Sequence, residues 1–225
     1  MPLKRDQIFS KIGDDLTAMS KVVFKQMQYI KEQLEAQDIK SNKQEIDQNE
    51  LILDGLEIKL RRNITNAMVL YCPRASDLRK LMSCYDICLN LERMGDLLRN
   101  IHKHLLDVNY KGVIYLELKE NLVKIYSTME TMVRNAIYSY SYEDAQLTRS
   151  TIELDDVVDG LYREIRLSII MLTQNKEWDG EQIKEILSIS DLSYNIERIA
   201  DYATNIIEAS VYLIEGKNIQ HQHNN

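Results

Sequence analysis

The chain has 225 residues, of which only seven are glycine and two are proline. An average chain holds roughly 12% of these turn-forming residues, so the many turns of a sandwich, barrel or propeller are excluded. With 28 basic and 35 acidic residues, the net charge of −7 argues against a nucleic-acid partner. No secretory leader or membrane-spanning apolar run is visible, and three sparse cysteines fit a reducing compartment. We therefore expect a cytoplasmic protein without direct membrane insertion.

Apolar residues recur every three or four positions along most of the chain, which predicts an all-α protein of six long helices. Polar or turn-forming segments bound them at 3–36, 44–71, 77–108, 113–140, 146–174 and 181–215. Pro73 ends the second helix, and Ser76 is the expected N-cap of the third. Gly216 ends the last helix, and residues 217–225 are predicted to be a disordered tail.

A shift of 105 residues aligns the two halves of the chain. Residues 86–101 (DICLNLERMGDLLRNI) match residues 191–206 (DLSYNIERIADYATNI) at seven of sixteen positions. The same shift aligns Glu50-x-x-x-Asp54-Gly-Leu with Asp155-x-x-x-Asp159-Gly-Leu. We therefore predict a tandem duplication, with two pseudo-symmetric three-helix bundles spanning residues 1–110 and 111–216.

The repeated residues are mostly polar, and on a helical wheel they lie opposite the apolar row, so we expect them at the surface. Glu92 and Asp96 lie one helical turn apart, as do Glu50 and Asp54. If the second and third helices of each half are antiparallel neighbours, four carboxylates converge in each half. Either their pKa values rise or a cation such as Mg²⁺, Mn²⁺ or iron lies among them. The eight candidate ligands are Glu50, Asp54, Glu92, Asp96, Asp155, Asp159, Glu197 and Asp201.

Plainer interpretations stay open at this point. The carboxylates could form a solvated acidic face or pair with Arg61 or Arg93. Cys84 and Cys88 continue the stripe towards Glu92, but their repeat partners are Ile and Ser, which favours a packing role. No nucleophile with an adjacent base and no phosphate-binding loop is present. We therefore expect no enzyme activity, with a metal-dependent oxidase or hydrolase using the carboxylates as the alternative.

Three segments resemble motifs of the PhoU family, regulators of bacterial phosphate transport. They are Pro73-Arg-Ala-Ser-Asp-Leu-Arg79, Asn90-Leu-Glu-Arg-Met-Gly-Asp96 and Asn195-Ile-Glu-Arg-Ile-Ala-Asp-Tyr-Ala-Thr-Asn-Ile206. The resemblance implies two three-helix bundles, each carrying an acidic motif on two helices. It also implies that the eight carboxylates bind multinuclear iron or zinc clusters on the bundle surface.

The same resemblance implies a cytoplasmic homodimer that acts as an adaptor between the phosphate ABC transporter and its sensor histidine kinase. Such an adaptor restrains phosphate-starvation gene expression when phosphate is plentiful. The sequence departs from the family at Asn90 and Asn195, which replace an acidic position, and at residues 175–180, which do not repeat the proline motif. Some relatives serve other ion transporters, so a PhoU-like regulator of another transporter is the alternative function.

Overall fold

The computed structural model describes residues 2–36, 43–174 and 177–216, which form six helices and, within these ranges, no strand. The all-α class and the six predicted helices are confirmed, with ends that differ by at most three residues. The predicted tail 217–225 lies outside the described residues, and the division of the chain at residue 110 stays a prediction. The helices are α1 (Pro2–Ala36), α2 (Lys43–Tyr71), α3 (Ser76–Leu105), α4 (Val113–Tyr142), α5 (Ala145–Gln174) and α6 (Gly180–Glu215).

Local backbone chemistry explains where α6 begins and ends. Asp179 accepts a hydrogen bond from the Gln182 amide at 2.9 Å, and the Gln182 side chain accepts one from the Asp179 amide at 3.1 Å. This capping box satisfies amides that the first turn leaves without helical partners. Gly216 then ends the helix in the left-handed region at φ 69°, which glycine adopts without strain.

The predicted cap of α3 was wrong. Ser76 is the first helical residue, and Ala75 before it has a φ of 47° and caps nothing with its side chain. The end of α3 also comes earlier than predicted, at Leu105, because a turn begins there. The amides of Leu106 and Asp107 donate back to Lys103 and His104 at 3.2 and 3.1 Å.

Each half of the chain packs its three helices together around a row of fully buried aliphatic side chains. In the first half these include Met19, Leu60 and Leu91, and in the second Met129, Ile165 and Ile196. Their spacing of three or four along each helix is the periodicity that the sequence displays. Burial of these rows supplies the main stabilisation of both three-helix bundles.

Two antiparallel helix pairs join the bundles. In the first pair, Ser83 of α3 donates to the carbonyl of Ala209 of α6 at 2.9 Å. In the second pair, Tyr126 of α4 donates to the carbonyl of Met27 of α1 at 2.7 Å. The two halves therefore face each other across a pseudo-twofold axis, with α3 against α6 and α1 against α4.

The shift between α1 and α4 is 106 residues, one more than the shift that relates α2 and α3 to α5 and α6. At 106, every buried position of the α1 row falls on a buried position of α4. The pairs are Ile12/Leu118, Leu16/Leu122, Met19/Ile125, Val23/Met129, Met27/Val133, Ile30/Ala136 and Leu34/Tyr140. This register makes it possible to compare the two halves side chain by side chain.

Candidate functional site

The antiparallel packing of α2 against α3 gathers the four predicted carboxylates of the first half. Arg99 near the end of α3 contacts Glu50 near the start of α2, whereas Arg61 near the end of α2 contacts Tyr85 near the start of α3. Glu92 and Asp96 of α3 therefore lie opposite Glu50 and Asp54 of α2. Glu50 and Glu92 are half-buried, and Asp54 and Asp96 are exposed. We call these four residues the first cluster.

Mutual repulsion within the first cluster is visible in its pKa values. Burial raises the pKa of Glu92, and the negative charges of Asp96, Glu57 and Asp54 raise it further. Glu57 was not among the predicted site residues, although it lies on the same face of α2. Because burial and like charges both disfavour the ionised form, the site favours a proton or a cation.

An internal cation already partly neutralises the first cluster. Arg99 donates to Glu50 at 2.6 Å and to Asp47 at 3.1 Å. Burial raises the pKa of Glu50, Arg99 opposes this shift, and the charges of Asp96 and Asp54 add to it. The sequence-based alternative of a salt bridge is thus correct for Glu50, but the partner is Arg99 rather than Arg61 or Arg93.

The second cluster, Asp155, Asp159, Glu197 and Asp201, forms in the same way between α5 and α6. Burial raises the pKa of Glu197 to about 7, with further contributions from Asp201, Asp159 and Asp155. Burial likewise raises the pKa of Asp201 to about 6, and Asp155 and Asp159 add to the shift. The electrostatic strain is therefore more pronounced here than at the first cluster.

The residue at the position of Arg99 also differs between the two clusters. The 105-residue shift places Thr204 there, and its hydroxyl contacts the Asp155 carboxylate at 3.3 Å. A neutral hydroxyl cannot compensate the four carboxylates as a guanidinium does. Among the described residues, neither Glu197 nor Asp201 forms a salt bridge within 4.0 Å, whereas Asp159 pairs with Arg163 at 3.9 Å. The positive charge that lowers the pKa values of Glu197 and Asp201 is that of Arg198.

The carboxylates of the two clusters are not already arranged as a metal-binding site in this structure. Within the described ranges, no group of three or more His, Cys, Asp and Glu side chains is arranged to hold a metal ion. The donor chemistry nevertheless fits hard or borderline cations, since each cluster supplies four carboxylates and the half-exposed side chains have room to rotate. Binding would have to draw the carboxylates of one cluster together.

Part of the repeated polar set is not at the surface, contrary to the prediction from the helical wheel. Asn90 and Asn195 are each only 8% exposed. Asn90 accepts a hydrogen bond from Asn205 of α6 at 3.5 Å, because α3 and α6 cover one another where the bundles meet. A wheel drawn for one bundle cannot include the other bundle. Cys84 and Cys88 are buried, in agreement with the packing role that their repeat partners favour.

A family model described as the PhoU domain matches the chain twice, at residues 16–105 and 122–210. These ranges cover α2, α3 and α5 completely and most of α1, α4 and α6. The chain belongs to the PhoU family. The two PhoU domains correspond to the two halves of the internal repeat, so both clusters lie on homologous surfaces.

Relatives and solved structures agree with this assignment over most of the chain. The phosphate-specific transport system accessory protein PhoU homolog of Aquifex aeolicus is 30% identical, over 95% of this chain and 97% of its own. The protein of the same name from Zymomonas mobilis is 31% identical, over 80% and 75%. The crystal structure of PhoU from Pseudomonas aeruginosa superimposes with a TM-score of 0.83 at 25% identity, over 94% and 99%.

The phosphate transport system regulatory protein PhoU from Streptococcus pneumoniae shares the fold, with a TM-score of 0.84 at 22% identity over 96% of this chain and 99% of its own. No helix in the described ranges of this PhoU-family chain combines the length and apolar character needed to cross a membrane.

Proposed function

We propose that this PhoU-family chain is an accessory protein of phosphate uptake, which links the phosphate ABC transporter to its sensor histidine kinase. The observation that carries the proposal is the match of both halves to the PhoU domain, together with relatives named as accessory proteins of phosphate-specific transport. In this role the chain restrains phosphate-starvation gene expression, works in the cytoplasm as a homodimer and catalyses no reaction.

The placement of the carboxylates supports a docking role over catalysis. Five of the eight side chains are half-buried and three are exposed, so the clusters lie along outer helix seams. Two clefts among the described residues are lined by none of the eight carboxylates. A catalytic metal needs an open coordination position within a shaped site that excludes water, and these seams provide no such enclosure.

Exposed aliphatic side chains beside the first cluster support contact with another protein. Leu51 and Ile58 on α2 are 71% and 64% exposed, on the helix that also carries Glu50 and Asp54. Apolar side chains next to charged groups are typical of the surfaces that proteins use to bind one another. We propose that the clusters and these side chains together face the partners.

We further propose that both clusters take up iron or zinc ions, with the second cluster binding more tightly. This rests on the four carboxylates in each half and on the raised pKa values of Glu50, Glu92, Glu197 and Asp201. A bound cation would relieve the repulsion that these shifts reveal. In the first cluster Arg99 competes with the ion, whereas Thr204 in the second does not.

The functional proposal is tested by crosslinking and affinity purification from membranes of the native host at high and low phosphate. We expect the chain to recover subunits of the phosphate ABC transporter and the sensor kinase, and its deletion to raise phosphate-starvation gene expression at high phosphate. A test variant carries Leu51→Ser and Ile58→Ser. These changes leave the core intact and should reduce the amount of transporter and kinase that is recovered. Recovery of another transporter, with unchanged phosphate-dependent expression after deletion, would overturn the proposal.

A further inference from the structure

A cleft of about 520 Å³ lies where the two bundles meet, between the first half of α1, the start of α3 and the end of α4. It is partly open to solvent and lies away from both clusters. Aliphatic and aromatic side chains form most of its wall. Pockets of this size and character at domain interfaces bind small molecules.

The corresponding space in the second half is filled by a side chain of the protein itself. Tyr126 of α4 is 1% exposed, and its hydroxyl donates to the carbonyl of Met27 at 2.7 Å. The 106-residue register places Ser20 of α1 at the equivalent position. The Ser20 hydroxyl turns back to the carbonyl of Leu16 at 3.0 Å and lines the cleft. The first half therefore lacks a phenol ring that the second half supplies.

The floor of the cleft is polar but uncharged. The Cys84 sulfur and the Tyr140 hydroxyl oxygen lie 2.8 Å apart, and both residues are buried. Burial raises the pKa values of both groups, so both are neutral at physiological pH. Across the pseudo-twofold axis, the positions of Cys84 and Tyr140 correspond to Ile189 and Leu34, whose side chains carry no polar atom. The cleft thus offers a hydrogen-bonding pair where its counterpart across the pseudo-twofold axis has only aliphatic side chains.

The rim selects for ring-shaped ligands rather than for charge. Phe24, Tyr138 and Tyr142 form an aromatic row, with ring centroids 6.2 and 6.1 Å apart in succession. Two cations and two anions line the same opening and balance each other in charge: Lys21, Lys80, Asp14 and Glu143. Aromatic side chains favour offset or edge-on contact with another ring.

We propose that this cleft binds an uncharged aromatic small molecule that carries a hydroxyl or similar polar group. The ring occupies the space that Tyr126 fills in the second half, and the polar group contacts the Cys84–Tyr140 pair. Because the cleft contacts α1, α3 and α4, its occupant bridges the two bundles and stabilises their mutual arrangement. Binding here is separate from the proposed metal and transporter contacts.

The test uses the full chain and the uncharged fluorescent probe N-phenyl-1-naphthylamine. We expect saturable binding of one probe per chain. Ser20→Tyr, which copies Tyr126, should weaken that binding by about tenfold or more, which corresponds to at least 1.4 kcal/mol. Ser150→Tyr is the matched control, since Ser150 also donates to a carbonyl of its own helix but is exposed on α5. It should leave probe affinity unchanged.

A second variant protects the test against a folding defect. Cys84→Ile copies Ile189 and fills the floor of the cleft with an aliphatic group, and circular dichroism confirms that each variant is helical. The proposal would be overturned if the probe showed no saturable binding to the wild type. It would also be overturned if the folded Ser20→Tyr and Cys84→Ile variants bound the probe with the affinity of the wild type. Neither result bears on phosphate regulation, because the assay contains no transporter, kinase or metal.

Discussion

Arg99 donates a hydrogen bond to the carboxylate of Glu50 at 2.6 Å, and the duplicated half places Thr204 and Asp155 at these two positions. The chain therefore carries two versions of one acidic cluster, one with a guanidinium at this position and one with a hydroxyl. Since a fixed guanidinium and a bound metal ion compete for the same carboxylate oxygens, this difference ranks the two clusters in their affinity for cations.

Replacing Arg99 by Thr should increase the affinity of the first cluster for zinc several-fold, because Glu50 loses its competing partner. The measurement is isothermal titration calorimetry in a Glu197→Gln, Asp201→Asn background, which confines uptake to the first half. Arg62→Thr, an exposed α2 residue, controls for the change in net charge. If the zinc affinity of Arg99→Thr were unchanged, or if Arg62→Thr gained as much affinity, the proposed competition between Arg99 and the metal ion would be contradicted.

The metal-free protein should lose stability as pH rises from about 4.5 to about 7. The pKa of Glu197 is raised from 4.5 to about 7, so over this window the folded chain retains a proton that the unfolded chain has released. The free energy of unfolding then falls with increasing pH. Urea titrations in chelator across this range should show the decline, and Glu197→Gln should flatten it. A steeper decline in the variant would contradict the assigned shift.

An ion-pair network between α1 and α4 should contribute to the junction of the bundles. Glu130 lies 2.9 Å from both Lys31 and Arg134, and its side chain is 9% exposed. Glu130→Gln should cost about 1–3 kcal/mol, because two cations lose their buried partner. Chemical denaturation at pH 7 gives this value, with the exposed Glu120→Gln as the control.

The pH dependence of the same pair of variants checks the charge of Glu130. Burial raises its pKa, but the hydrogen bonds and charges of Lys31 and Arg134 outweigh burial, and the net shift is downward from 4.5. Its contribution to stability is therefore present above about pH 4.5 and is lost as pH falls through the lowered pKa. The stabilities of wild type and Glu130→Gln should converge on acidification, whereas a constant difference would assign the effect to packing alone.

A pair of core residues shows compensation between the halves. A methyl group added at Gly95 would collide with a terminal methyl of Leu53, whereas the second half has Ala200 and the shorter Val158 at these positions. Leu53→Val alone should cost about 0.5–1.5 kcal/mol. In a Gly95→Ala background the same change should stabilise the protein, because it removes the collision. Thermal denaturation of the wild type, the two single variants and the double variant gives the sign of the Leu53→Val effect in each background. Additive effects would contradict the proposed collision.

Much of the fold follows from local patterns that a single sequence displays. The aliphatic rows fix the six helices, and Asp179 with Gln182 fixes the start of α6. The wheel failed at Asn90 and Asn195 because their burial depends on the contact between α3 and α6, which no local pattern encodes. Likewise, no side chain caps the start of α3, although the serine at position 76 is of a residue type that often caps helices.

The candidate site was predictable in its carboxylates but not in its electrostatics. The spacing of Glu92 and Asp96 and its repetition at Glu197 and Asp201 sufficed to place both clusters. The role of Arg99 depends on how α2 pairs with α3, which the sequence does not give directly. The repeat alignment did indicate a difference between the clusters, since Arg99 is aligned with Thr204 within a segment that otherwise matches closely. The cleft at Ser20 was missed because α1 and α4 align only at the different shift of 106.

The proposal that each half retains a cation-binding cluster is tested most directly by counting metal ions per chain. Native mass spectrometry after equilibration with zinc or iron(II) should show ions bound to the wild-type chain, and none bound to a variant carrying Glu92→Gln, Asp96→Asn, Glu197→Gln and Asp201→Asn that retains its helical circular dichroism. Equal metal content in the two proteins, or a wild-type chain that takes up no ion, would contradict it.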